Sequence, residues 1–220
     1  MNKFNQLTLN IRLRDDATFA NFYSETNQQL ITQLQANDKS FIYLWGKPGS
    51  GRSHLLQAAC QAAKTAIYLP ITTELEPEIL SGLENMDILC LDDIHQIAGI
   101  KAWEETIFHL FNKVSANNAK LIIAANTPPT ILPITLPDLK SRLASGVTFQ
   151  VQPLSDQQKL TALQLRAKNR GLQLSKEAGK FLLNRYARDT NSLFDILEKL
   201  DQASLAAQHK LTIPFIKSIL

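Results

Sequence analysis

The stretch GKPGSGRSH, residues 46–54, holds the first residues whose types and spacing could do chemistry. Gly46, Gly49 and Gly51 let the backbone curl until successive N–H groups converge on one point. A helix opening directly afterwards adds its positive N-terminal end. Such a loop cradles phosphate oxygens. Lys47, Pro48 and Ser50 fill the spacing between the glycines, Ser53 stands where a hydroxyl reaches Mg²⁺, and His54 follows it on the helix. The position that ordinarily holds lysine holds Arg52. A guanidinium keeps the charge but is planar, wider and differently directed than an ammonium. The loop therefore reads as a holder of nucleotide more than an engine of its hydrolysis.

Two further signals follow in order. In ILCLDD, Asp92 ends an apolar run, where a carboxylate can hold the water shell of Mg²⁺. Asp93, beside it, is the candidate base that orients an attacking water. Asn126 closes KLIIAAN, where a short polar side chain can position water at a γ-phosphate. Singly, each has an ordinary reading: a glycine turn, a pair of helix-capping carboxylates, a turn before Pro128 and Pro129. Together, each at the end of an apolar run, they predict a nucleotide site.

These residues need a scaffold, and the pattern supplies one. FIYLW (41–45), AIYLP (66–70), MDILCLDDI (86–94), KLIIAAN (120–126) and VTFQVQ (147–152) are apolar runs of strand length. Runs that are apolar almost throughout suit a parallel sheet covered on both faces. Helices are expected from near Asp16, over 27–36 and over 53–64. In 103–114, Trp103, Ile107, Leu110, Phe111 and Val114 share one helical face. Beyond Pro153 strands stop. One helix runs to Gly171, two more cover SKEAGKFLLNRYARD and NSLFDILEKLDQASLAAQ, and a short one starts near Pro214. Expected domains are a flexible arm (1–14), an αβα nucleotide-binding domain (15–152) and a helical domain (153–220).

Composition fits this plan. Of 220 residues, 45% are hydrophobic and 20% charged, as in a globular protein. No apolar run approaches the roughly 18 residues of a membrane span. The N-terminus lacks an apolar signal core, which predicts a cytoplasmic protein without a membrane partner. Cys60 and Cys90 read as reduced and buried. Residues 1–152 carry 12 basic and 14 acidic side chains, and residues 153–220 carry 11 and 6. The basic tail suits either nucleic acid or plain solvation.

From about Thr18 to Ala207 the order of segments resembles the AAA+ module of the bacterial replication initiator DnaA. The resemblance is carried by the glycine loop with SHLLQAA, by ILCLDDIHQIAG, WEETIFHLFNKV, LIIAANTPP and LPDLKSRLASG. Fifteen residues, 71–85, separate the second and third strands, room for about one helix, where that initiator has an extra element for single-stranded DNA. Only a short helix follows Gln208, too little for its helix-turn-helix domain. QLTLNI (6–11) resembles peptides that dock on the bacterial sliding clamp, with Gln6 in a polar pocket and Leu7, Leu9 and Ile11 in an apolar groove. With QPLSDQQKLTALQLRAKNRGLQL and QHKLTIPFIKSIL, the whole is similar to the Hda family of DnaA-homologous regulatory inactivators.

That resemblance implies an AAA+ P-loop fold, a parallel αβα sandwich followed by an all-helical lid. It implies partners: the DNA polymerase III sliding clamp (beta subunit), the DnaA initiator, and DNA reached through the clamp at the replication fork. Self-association is left open. The implied ligand is ADP or ATP, with Mg²⁺ allowed at Ser53 and Asp92. Arg142, in LKSRL, matches the family's arginine finger, which acts in trans on ATP bound by the initiator; without that context it reads as a surface arginine paired with Asp138. Asn191 stands where the family carries a sensor arginine, with Arg188 a turn earlier. Phe19 and Phe22 read as core aromatics or as an adenine-pocket lining, and His54 as a helix-surface histidine. Two other readings are an autonomous ATPase, such as a clamp-loader or helicase-loader subunit, and a non-enzymatic DNA-binding adaptor.

Overall fold

In the computed structural model, residues 17–23, 25–36, 38–186, 190–207 and 211–220 are described. Five strands form one sheet: β1 (Phe41–Trp45), β2 (Ala66–Pro70), β3 (Ile88–Asp92), β4 (Lys120–Ala125) and β5 (Val147–Gln150). Their order is β2-β3-β4-β1-β5, and every pairing is parallel. The apolar runs of the sequence become strands because both faces are covered. β4 lies between β3 and β1, and all six of its residues are buried.

Alternation sorts the strand residues onto two cores. Tyr43, Leu89, Leu91, Leu121 and Ile123 face one side. There they meet Trp103, Ile107, Leu110 and Phe111 of α3 (Lys101–Ala116) and Leu139 and Leu143 of α4 (Pro137–Ser145). Ile42, Leu44, Cys90, Ile122 and Ala124 face the other. They pack on Leu30, Ile31 and Leu34 of α1 (Gln28–Gln35) and on Leu55, Leu56 and Cys60 of α2 (Arg52–Gln61). Both cysteines are free and buried, as expected.

After β5 come α5 (Asp156–Asn169), α6 (Lys176–Arg185), α7 (Thr190–Ala207) and α8 (Ile213–Ile219). They enclose a separate core of Leu163, Leu182, Leu193, Leu197, Leu200 and Ile216. Their starts are written in the sequence. Ser155 and Gln158 form a reciprocal capping box, and Ser175 and Thr212 cap α6 and α8.

Two expectations change. Among the described residues, the first helix is a 3-10 turn at Phe19–Asn21. Between β2 and β3 the chain makes two 3-10 turns, Pro77–Leu80 and Leu83–Asn85, rather than one helix. Pro77 and Gly82 break so short a segment before an α-helix can nucleate. Asn27 precedes α1 but caps nothing with its side chain. It is buried and its Oδ1 accepts the Gln152 N–H at 3.0 Å, tying the N-terminal segment to the chain that leaves β5.

Candidate nucleotide site

β1 sits between β4 and β5, so the chain leaves it at the point where the strand order reverses. Crevices for ligands open at the carboxyl ends of strands at such points. The loop 46–53 begins there. Gly46 N–H donates to the Ala125 carbonyl at 3.3 Å, binding the loop to the end of β4. A Cβ on Gly46 would lie 2.8 Å from both Ser50 Oγ and the Val151 carbonyl oxygen. Gly51 has φ +101° and N-caps α2, and a Cβ there would strike the Phe22 ring at 2.7 Å. Only glycine meets both demands at that position. Ser50 is buried, and its hydroxyl has no hydrogen-bond partner among the described residues.

Arg52 does not extend freely into the cradle. It is 7% exposed, and its Nη2 donates to Asp93 Oδ1 at 2.9 Å. A charge-assisted bond of this sort contributes about 1.5–3 kcal/mol. Asp93 adopts left-handed backbone angles (φ 55°, ψ 38°), which aspartate tolerates better than most residues. His95 Nδ1 lies 3.7 Å from the same Oδ1. Burial lowers the His95 pKa, an effect the Asp93 charge opposes.

Asp92 is fully buried at the end of β3. Its Oδ2 accepts the Tyr68 hydroxyl at 3.0 Å, its Oδ1 accepts the Asp93 N–H at 2.9 Å, and the Ser53 hydroxyl bonds the same carboxyl. Burial raises its pKa, the Asp93 charge adds to the rise, and the hydroxyls oppose it. Burial likewise pushes the Tyr68 phenol up, with the Asp92 charge second. A hydroxyl and a carboxylate already in contact are the hard oxygen donors that suit Mg²⁺. Asn126 is exposed immediately beyond β4, while Lys47 and Pro48 are exposed on the loop.

The cavity against this loop is closed by three parts of the chain. Asn21, Phe22 and Tyr23 come from the N-terminal segment; Gly49, Ser50, Gly51, Ser53 and His54 from the loop and α2; and Leu154, Ala162, Arg166, Thr190 and Phe194 from the helical region. Phe22 lines the cavity while packing on the core, and Phe19 only packs on the core. His54 is more than a surface residue. It is half-buried, its Nε2 lies 2.8 Å from the Thr18 carbonyl oxygen, and its ring tilts over Phe22 at 5.5 Å. Sequence reasoning missed Arg166, which is 5% exposed with its guanidinium 4.3 Å from the Phe194 ring centroid. Nothing in LQLRAKNRG marks this arginine as inward-facing, because the packing of α5 over the loop decides it.

Arg142 stands apart. It is exposed on α4, absent from that cavity lining, and 5.8 Å from the Phe111 ring centroid. Among the described residues no ion pair joins it to Asp138. Gln6, Leu7, Leu9, Ile11 and Arg188 lie outside the described residues, and the Asn191 side chain does too.

The parallel order β2-β3-β4-β1-β5, the glycine loop after β1, the paired carboxylates after β3 and the helical region after β5 form an AAA+ P-loop fold. A family model described as "Bacterial DnaA ATPAse domain" matches residues 71–150, and one described as "Hda, lid domain" matches residues 156–220. Over these two segments the chain is similar to DnaA-type and Hda-type proteins. Solved structures share its fold. Domain III of Thermotoga maritima DnaA superposes with TM-score 0.77 at 18% identity, covering 96% of this chain and 98% of that one. DnaA from Aquifex aeolicus, bound to AMPPCP, gives 0.69 at 23% identity, over 86% of this chain and 66% of that one. The Thermotoga maritima RuvB Holliday junction branch migration motor gives 0.68 at 16% identity, over 94% and 72%.

Proposed function

We propose that this protein restrains replication initiation by stimulating hydrolysis of ATP held by a DnaA-type initiator, while docked on the DNA-loaded sliding clamp. Arg142 supplies the guanidinium that stabilises charge developing on the initiator's γ-phosphate. The observation that carries this reading is its placement: an exposed arginine on α4, outside the chain's own cavity and without a carboxylate partner among the described residues. Fingers of this kind contribute roughly 10³–10⁵ in rate. Gln6, Leu7, Leu9 and Ile11 anchor the clamp as an extended peptide.

The chain's own site holds ADP or ATP and turns it over weakly. Gly46, Gly49, Ser50 and Gly51 line the phosphate cradle, and Ser53 with Asp92 would hold Mg²⁺, whose chemistry is to neutralise phosphate charge. Arg52 spends its charge on Asp93, the very carboxylate that would orient the attacking water. Bound nucleotide would instead set the helical region against the sheet domain through Phe22, Arg166 and Phe194.

The test is single-turnover hydrolysis of ATP prebound to the initiator, with clamp loaded on DNA. Wild type is expected to accelerate it, and Arg142→Ala and the Gln6→Ala/Leu7→Ala pair are expected to fail. A wild-type protein that binds clamp without accelerating hydrolysis overturns the proposal. The intact Asp92, Asp93 and Asn126 set favours a second reading, an autonomous ATPase, and brisk steady-state turnover by the isolated protein would select it.

A further inference from the structure

Glu104 lies in the first turn of α3 with no exposed surface. Its position shares the face of Ile107 and Phe111, where a carboxylate rather than an apolar side chain is the exception. Its neighbour Glu105 is exposed, with Lys101 Nζ 3.6 Å away. A buried carboxylate without partners is strongly disfavoured, and this one has four donors. Oε1 accepts the Gly99 N–H at 2.7 Å and the Thr135 N–H at 3.1 Å. Oε2 accepts the Thr135 N–H at 3.0 Å, the Thr135 hydroxyl at 2.7 Å and the Leu136 N–H at 2.7 Å. Burial pushes its pKa up, but the bonds from Thr135, Gly99 and Leu136 outweigh that and hold it below 4.5.

The donors belong to two separate segments. Gly99 ends the turn that carries the chain away from Asp92 and Asp93. Thr135 and Leu136 are the last residues before α4, and Leu136 is its N-cap. The Lys140 N–H then bonds the Leu136 carbonyl at 3.0 Å, so fixing Leu136 fixes the first turn. Arg142 lies less than two turns further on, about 9 Å along the axis at 1.5 Å per residue. Leu139 and Leu143 hold α4 against the core. Such apolar burial is non-directional and sets the axial position of the helix less sharply than hydrogen bonds at its start do.

The geometry points to Glu104 as a positioning residue for Arg142: its carboxylate pins the start of α4 to the turn after β3 and so sets where the guanidinium meets a partner's nucleotide. The inference rests on the trans-acting arginine proposed above. A reacting group displaced by about 1 Å can lose 10²-fold in rate.

Glu104→Gln tests it, because the amide keeps the shape and loses one acceptor oxygen. In the clamp-loaded assay the plateau rate of initiator-bound ATP hydrolysis is expected to fall about 10- to 100-fold. The concentration giving half-maximal stimulation should stay within about 2-fold, since docking is untouched. Amide exchange should quicken at Thr135 and Leu136 and stay slow at Ile122 and Ile123. A merely structural role would lower the melting temperature and leave the plateau intact. Arg142→Ala, measured alongside, separates the two claims. If Arg142→Ala stimulates fully, the trans-arginine reading is lost and this inference with it. If Arg142→Ala is inactive while Glu104→Gln reaches the wild-type plateau, only the positioning role is overturned. Should Glu104→Gln not fold, Thr135→Val removes a single hydroxyl donor. Its expected plateau loss is about 3-fold, and a wild-type plateau there overturns the inference.

Discussion

Arg52 and Arg142 carry the same guanidinium into opposite surroundings. Arg52, on the glycine loop, is nearly buried and bonded to Asp93 at 2.9 Å. Arg142, on α4, is exposed, with the Phe111 ring centroid 5.8 Å away. A charge engaged inside its own domain cannot serve a partner, and one left exposed on a helix anchored at its start can. The difference separates a site that holds from a face that acts, and a guanidinium gains most where water and carboxylates have been kept away.

The sharpest way to break this contrast is Arg142→Ala, for which we expect about 10³-fold or greater loss of stimulated hydrolysis. Arg142→Lys should restore little, because an ammonium lacks the planar fork. Single-turnover rates of initiator-bound ATP decide both, and a near-normal rate for either removes the role assigned to α4.

Gly51→Ala attacks the holding site. The left-handed backbone and the 2.7 Å approach of Phe22 make any Cβ strained there. We expect a stability loss of about 1–3 kcal/mol together with weaker ADP binding, read by thermal melts with and without ADP. An unshifted melting curve would mean that neither the left-handed backbone nor Phe22 resists a Cβ at this position.

Arg52→Lys tests whether the internal ion pair restrains the chain's own chemistry. A lysine frees Asp93 and offers its ammonium to phosphate, so steady-state ATP turnover should rise by about 10-fold. Unchanged turnover would place the restraint elsewhere, with Asn191 the next residue to replace.

The smallest expected effect is a pH dependence at Glu104. Its folded-state pKa lies below the ordinary 4.5, so its stabilisation is complete above 4.5 and is lost as pH falls through the folded value. In Glu104→Gln that part of the acid-unfolding curve should flatten. Identical acid slopes in the two proteins would mean that the carboxylate is not held as the hydrogen bonds indicate.

Much of this was legible in the residues, and unevenly so. The strands and the loop were readable because each apolar run has one period and one punctuation, as in FIYLW followed by GKPG. The helical tail was readable because Ser155, Ser175 and Thr212 announce its helix starts. Helix α4 passed unnoticed: PDLKSRLAS buries only Leu139 and Leu143, too faint a stripe to read as a helix. Arg166 and Glu104 were invisible as inward-facing groups, since a charged residue on a helix is ordinarily solvated.

By itself the sequence determined the elements, their order and the residues able to bind phosphate, because period, capping and backbone freedom are local properties. Only the tertiary structure decided how charges are spent. Arg52 meets Asp93 across 41 positions, Glu104 gathers donors from residues 99, 135 and 136, and Lys120 Nζ bonds the carbonyls of Gln33, Leu34 and Ala36 at the end of α1. Each buried ion takes the partners that packing brings within about 3 Å, and no local pattern records which segments those will be.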